Sequence, residues 1–249
     1  MKTVVVLFGL EVEAHFLLER IHGYRIVDLE CDVYEGRLED LNVRVAISGP
    51  GAERAFSAAG RVLSHGDADA FIVAGFAGAL DPGLKPGDLV IADSVGTLDS
   101  GQVVTRPCDP GLTALTSWVS GGRTCRTVRG SLLSVDEVIS IPSEKRSLFH
   151  VYGCKAVDTE SGAAGTCADA LGLPWVAVRS VVDAASDELP AEFGRIVLAD
   201  GALSRRAAIS AGLRHPWAFG KCFRASRLAN AHLFAFLETY LLRLGRARA

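Results

Sequence analysis

The sequence predicts an α/β protein: a three-layer αβα sandwich around a mostly parallel, mixed central sheet, with a helical C-terminal extension. Three observations predict it. Short β-branched runs alternate with alanine-rich, helix-like stretches through most of the chain. The central runs are apolar at every position, as strands covered on both faces must be. No internal repeat, low-complexity stretch or flexible linker interrupts the chain before Glu188. Residues 1–187 therefore read as one domain, and 188–249 as a basic, helical extension packed on it.

Each element follows from local chemistry. Val4–Phe8 is a β-branched run ended by Gly9, and Glu11 to Ile21 reads helical. Val43–Ser48 is the next strand, running through Gly49-Pro50-Gly51 into an alanine-rich helix from Ala52 to Leu63. Ala70–Ala74 is a strand closed by the glycine-rich turn Gly75-Phe76-Ala77-Gly78, and Leu89–Val95 follows the turn signal Lys85-Pro86-Gly87-Asp88. Helix-like Gly111–Val119, a strand at Thr124–Leu132 and helix-like Pro142–His150 come next. Cys154–Val157 leads into an alanine-rich helix, Glu160–Leu171, and Pro174–Val182 is the last strong strand.

Composition narrows the function. The 249 residues are 49% hydrophobic and 22% charged, which excludes a disordered chain, and 26 Gly without a fixed period exclude collagen. The net charge of −3 hides an asymmetry. From Arg205 to Ala249 nine cations face one acid, Glu238, a local charge of +8 that leaves residues 1–204 at −11. Six scattered cysteines (Cys31, Cys108, Cys125, Cys154, Cys167, Cys222) show neither disulfide nor zinc spacing and read as buried apolar residues in a reducing compartment. Acids follow the first apolar run at once, so it reads as a buried strand rather than a secretory signal. No apolar stretch reaches 18 residues. These features predict a cytoplasmic protein, with no nucleic-acid partner.

Among chemical motifs, neither G-x-S-x-G nor G-x-x-x-x-G-K-[ST] is present. Gly49-Pro50-Gly51 resembles half of a dinucleotide fingerprint, but Arg54 stands where the third glycine belongs. Glu11 and His15 share one helix face, yet without a third ligand they read as solvated surface, and no metal is expected. The carboxylates at strand ends say more. Glu13 follows the first strand, Glu160 opens a helix after Cys154–Val157, and Asp183 ends the last strand. Ligands of open α/β sheets bind beyond the carboxyl ends of strands, so these three are expected in one cleft. Taken singly, the plainer reading wins: a helix N-terminal acid for Glu160, and a turn or cap for Asp183.

Together these segments resemble a family. Gly9-Leu10-Glu11-Val12-Glu13, Ser48-Gly49-Pro50-Gly51 and Gly75-Phe76-Ala77-Gly78-Ala79-Leu80 stand in order before Val157-Asp158-Thr159-Glu160-Ser161-Gly162-Ala163-Ala164 and Pro174 to Asp183. This resembles the nucleoside phosphorylase superfamily, in its methylthioadenosine/S-adenosylhomocysteine nucleosidase branch. Leu189-Pro190, Asp200-Gly201 and Leu213-Arg214-His215-Pro216 resemble the tail of hopanoid-associated phosphorylases. The resemblance implies cleavage of the N-glycosidic bond of a purine nucleoside by a homo-oligomer. It makes Asp183 the general acid at the base, Glu13 the acid that activates water, and Glu160 the acceptor of ribose hydroxyls. Thr159, Gly75, Phe76, Ala77, Val138, Ile139, Gly49 and Gly51 would line the substrate. It requires no cofactor, with phosphate as the co-substrate of a phosphorylase.

The chain departs from the family pattern in places. Thr159 replaces a methionine, Phe76 a serine in the glycine-rich turn, and Val182 the serine before Asp183. Val138 and Ile139 align where a phenylalanine usually contacts the base. The family's phosphate-binding arginines align with Glu13 and Val73, which suits water better than phosphate, while Arg54 and Arg179 are cations the sequence does not place. The tail resemblance favours phosphorolysis, so water and phosphate both remain as nucleophiles, and a non-catalytic binding module on the same fold is the competing class. The tail joins its cations to Trp217, Phe219, Phe223, Phe234, Phe236 and Tyr240, a combination fit to lie on an anionic membrane beside a lipid-linked nucleoside. The stripe Leu233, Leu237, Leu241 favours instead an ordinary packing or oligomer helix.

Overall fold

A computed structural model describes residues 2–26, 31–99, 101–117, 119, 125–189 and 216–246. β1 (Thr3–Phe8) is buried along its whole length and forms the middle of the sheet. It runs parallel to β4 (Leu41–Ile47) on one side and to β5 (Ala70–Ala79) on the other. β10 (Trp175–Asp183) lies parallel to β5, with Val178 opposite Ala74. β6 (Leu89–Asp99), β8 (Thr127–Ser134) and β9 (Ala156–Asp158) complete a parallel group. Antiparallel pairings join that group to the rest, β6 to β10 and β9 to β5. The strand path β5–β10–β6–β8–β9 therefore returns to β5, and this end of the sheet curls into a closed ring.

Three strands on the edges carry no strong sequence signal. β2 (Tyr24–Ile26) and β3 (Asp32–Leu38) extend the β4 edge as antiparallel hairpin strands. β7 (Gln102–Pro107) pairs antiparallel with β6 and is largely exposed. Charged and polar residues fill these edges, because one face meets water and tertiary pairing, not hydrophobicity, sets the conformation.

Helices cover both faces. α2 (Ala52–Leu63) and α5 (Ser161–Ala170) pack together on one side, α2 over β1 and β4 and α5 over β5, β6, β8 and β10. A glycine lets α5 lie close on the sheet: a Cβ at Gly165 would sit within 3 Å of the ring of Trp175 on β10. The other side holds α1 (Glu11–Arg20), α3 (Pro110–Thr116) and α6 (Pro216–Arg246). α6 is part of the main core. Leu233, Phe236, Leu237, Tyr240, Leu241 and Leu244 are all buried in it, and the Tyr240 hydroxyl donates to the Leu112 carbonyl at 2.9 Å. α4 (Pro142–Tyr152) packs Leu148, Phe149 and Tyr152 against a smaller cluster of Leu80, Leu133, Val135, Cys154 and Val157.

One boundary differs in a way that matters for the site. β5 does not stop at Ala74; it continues through Gly75-Phe76-Ala77-Gly78 to Ala79, so the expected glycine-rich turn is a strand. Its small residues answer to crowding from the side chains described below. All six cysteines are free thiols, and Cys31, Cys125 and Cys222 are half-buried rather than in the core. No described helix is long and apolar enough to cross a membrane. The tail segment from Pro190 to His215, with the motif residues Pro190, Asp200-Gly201 and Leu213-Arg214-His215, lies outside the described residues.

Candidate active site

The site gathers at the carboxyl ends of β1, β5 and β10. Glu13 stands in the first turn of α1, directly after β1. Its Oε2 accepts the Leu10 N–H at 2.9 Å, closing the helix start, and its Oε1 accepts the Phe76 N–H at 2.7 Å. Burial raises the Glu13 pKa from 4.5 to about 7, reinforced by Glu160 and opposed by Arg179 and the two backbone donors. Phe76 thus meets Glu13 through its backbone, which any side chain at that position would permit.

Arg179 is the cation at the centre. It sits on β10, 1% exposed, with its Nε 2.6 Å from Asp158 Oδ2 and its Nη2 3.4 Å from Glu160 Oε2. The Ser161 hydroxyl accepts from both Nε and Nη2. Burial works against this charge, but Asp158, Glu160 and Glu13 outweigh it and hold the guanidinium protonated. Arg54 lies elsewhere, on the exposed side of α2, donating to the Pro50 carbonyl. Gly75 is the space Arg179 needs. With φ +150°, a Cβ there would lie 2.5 Å from Arg179 Nη1 and 2.9 Å from Glu13 Oε1.

Glu160 is the N-cap residue of α5. Its Oε1 accepts the Gly51 N–H at 3.0 Å and the Thr159 hydroxyl. The Gly49-Pro50-Gly51 turn, with φ of +78° at Gly49 and +96° at Gly51, therefore serves the glutamate rather than a dinucleotide. The threonine in place of methionine adds a donor to the same carboxylate.

Asp183 ends β10, buried, against the strand backbone at Gly78, where a Cβ would meet its Oδ2 at 3.2 Å. Burial raises its pKa, and Lys145 opposes the rise. The Lys145 ammonium, on α4, pairs with Asp183 Oδ2 and also donates to the Ala184 and Asp187 carbonyls at 3.3 and 2.9 Å. Sequence reasoning missed Lys145, which is one charge among Glu144 and Arg146 on an ordinary helix. Its only local sign is the apolar spacing toward Leu148 and Phe149, which puts it on the packed face.

A cavity of about 380 Å³ joins these groups. Glu13, Phe76, Ala77, Val138, Ile139, Thr159, Glu160 and Asp183 line it, with Val182 and Leu189 beside Asp183. Gly49, Gly51 and Gly75, expected to line the substrate, are not among the lining residues; Gly9, Pro50 and Gly78 are. The lining residues include five carboxylates, Glu13, Glu137, Asp158, Glu160 and Asp183, and among the described residues no Lys or Arg. Among the described residues no three His, Cys, Asp or Glu side chains group closely enough to hold a metal, and the exposed His15 lies 3.6 Å from Glu19.

An α/β sandwich with an acid-lined cavity at the carboxyl ends of its strands is built to bind a small molecule there. Residues 3–209 match the phosphorylase superfamily, and the chain belongs to that superfamily. Solved structures share the fold at low identity. The 5′-methylthioadenosine/S-adenosylhomocysteine nucleosidase of Neisseria meningitidis, in complex with methylthio-immucillin-A, superposes with a TM-score of 0.77 at 22% identity, over 98% of this chain and 100% of its own. The S-adenosylhomocysteine nucleosidase of Streptococcus pyogenes gives 0.72 at 21% identity, over 96% and 97%. The futalosine hydrolase of Helicobacter pylori gives 0.77 at 16%, over 98% of each chain.

Proposed function

We propose that this protein hydrolyses the N-glycosidic bond of a purine nucleoside, with water as the nucleophile. One observation carries the choice: every charged side chain in the described lining is an acid, and the buried cation behind it, Arg179, is committed to Asp158, Glu160 and Ser161. A phosphate dianion entering such a cavity meets repulsion, and among the described residues no cation of the lining offsets it. Water does not.

In this reading the nucleoside lies along β5, its base toward Asp183 near Gly78 and its ribose toward Glu13 near Gly75. Three residues of strand span about 10 Å, enough for base and sugar. As the C1′–N9 bond breaks, its electron pair moves to the base, which Asp183 protonates at N7. The ribose becomes cationic, and the negative charge of Glu160 favours it while accepting the ribose hydroxyls. Water attacks C1′ and gives its proton to Glu13, whose pKa of about 7 suits a general base at neutral pH. Val138 and Ile139 offer apolar surface and backbone to the base.

The group on the 5′ carbon is the finer question. The nucleosidase neighbours support methylthioadenosine and S-adenosylhomocysteine, and the tail resemblance supports an adenosylated hopanoid. The test is an adenine-release assay on methylthioadenosine, S-adenosylhomocysteine, adenosine and an adenosylated hopanoid, with and without phosphate. Adenine and free sugar released without phosphate are expected. Strict dependence on phosphate would replace hydrolysis with phosphorolysis. Release from none of the four would leave the binding-module class.

A further inference from the structure

The buried lysine beside the proposed acid carries an inference that deepens the hydrolysis reading and rests on it. We propose that Lys145 is a positioning residue for proton delivery. Its ammonium holds Asp183 by Oδ2, so that the other oxygen, Oδ1, gives the proton to the departing base.

Burying an ammonium is costly. Lys145 is 0% exposed, a state a lysine tolerates only with its charge paired and its donors used. An ammonium has three N–H donors, and Lys145 has three acceptors: Asp183 Oδ2 and the carbonyls of Ala184 and Asp187. The carbonyls belong to the turn that leaves β10. The same turn is closed by the Asp187 side chain, which accepts the Ala184 N–H at 3.1 Å and pairs with Lys221 at 2.5 Å. A structural staple needs only the carbonyls. The bond to the carboxylate does something more, because it makes the two oxygens of Asp183 unequal. Among the described residues no group donates to Oδ1.

The proton balance follows. Asp183 gives its proton from Oδ1 to N7 as the C1′–N9 pair passes to the base, and the resulting carboxylate is left facing the Lys145 cation. That cation stabilises the acid after transfer and makes it stronger in the transition state than burial alone allows. The other charged or titratable groups near Asp183 are Asp187, Lys221 and the half-buried Cys222 thiol; Lys221 pairs with Asp187, leaving Lys145 as the group bonded to Asp183.

The test compares two leaving groups. A purine needs its proton; p-nitrophenolate leaves without one. With wild type and Lys145→Met, rates are measured on the best purine nucleoside and on the p-nitrophenyl riboside bearing the same 5′ group. Expected is an about 100-fold loss on the purine nucleoside, within the span of general acid catalysis, with the riboside changed only a few-fold. The alkaline limb of the purine profile should also move to higher pH, since losing the cation raises the acid's pKa. A second comparison guards against misfolding: Lys145→Met in the Asp183→Asn background removes both charges, and should add no further loss. Equal losses on both leaving groups, an unmoved alkaline limb, or additive losses in the double variant would overturn the inference. A wild type that cleaves neither substrate would remove the hydrolysis reading with it, whereas an active wild type matched by Lys145→Met would remove this inference alone.

Discussion

In the proposed reaction Glu13 and Asp183 are acids with opposite tasks, and their surroundings separate them. Asp183→Asn cannot protonate a base, so adenine release should fall by about 100-fold or more, while circular dichroism and gel filtration remain those of the folded protein. Unchanged turnover would remove the assignment. Glu13 predicts a pH signature. As a base it works ionised, so kcat/KM should rise with pH through about 7 and lose that limb in Glu13→Gln. Its raised pKa also has a sign in stability. Between 4.5 and about 7 the folded state binds more protons than the unfolded, so stability is fullest below 4.5 and declines through about 7. That rise corresponds to roughly 3 kcal/mol, and Glu13→Gln should flatten that slope in urea melts taken from pH 4.5 to 8. At this scale the sequence showed the three carboxylates because each stands at a strand end or a helix start. It named Arg179 without placing it. Lys145 stayed hidden, because a buried lysine and a solvated one read alike until α4 is packed.

Strands and helices explain why the site needs the residues around it. The glycine-rich segment reads as a turn from its composition, but glycine has two uses, a positive φ and a close approach. β5 uses the second at Gly78 and both at Gly75. Gly75→Ala should therefore displace Arg179 and Glu13 together. Adenine release should drop at least as far as in Glu13→Gln, and thermal melting should register a loss of about 1–3 kcal/mol. The hairpin of β2 and β3 was illegible for another reason: its residues are half-exposed and charged, and only pairing with β4 makes them strands. α6 shows the converse, since its period is plain while its length and place are not. Its first half presents Trp217, 89% exposed, with Phe223 and Leu228, and Arg227 lies over the Phe223 ring. The proposal of membrane contact belongs to this face. Co-sedimentation with anionic vesicles should fall in Trp217→Ala/Phe223→Ala at unchanged stability. Equal binding by variant and wild type would sink it, and loss of a homo-oligomer by the variant in sedimentation would reassign the face to a second copy of the chain.

At the scale of the molecule, the +8 tail and the −11 remainder find each other inside one chain. Lys221 pairs with Asp187 and Arg246 with Glu39, while Glu238, the tail's one acid, takes Arg20 from α1. Magnitudes decide what these bridges contribute. Exposed pairs are worth at most ~1 kcal/mol each and weaken in salt. The buried stripe of α6 is worth ~1.5–3 kcal/mol for each large side chain removed from water, and six of them, from Leu233 to Leu244, lie in the main core. Apolar burial therefore attaches the helix, and the charges choose where it lies. Cutting the chain before α6 would open the core, so a truncated protein cannot report on membrane binding. Point variants can separate the two contributions. Leu237→Ala should cost about 2–5 kcal/mol in chemical denaturation, and Arg246→Ala no more than ~1 kcal/mol. Added salt should erase the Arg246 difference and leave the Leu237 one intact, because screening acts on exposed charge and not on a filled core. A larger loss from Arg246→Ala than from Leu237→Ala would mean that the tail is held as a charged arm, and that its cations are free to leave the body for another acidic surface.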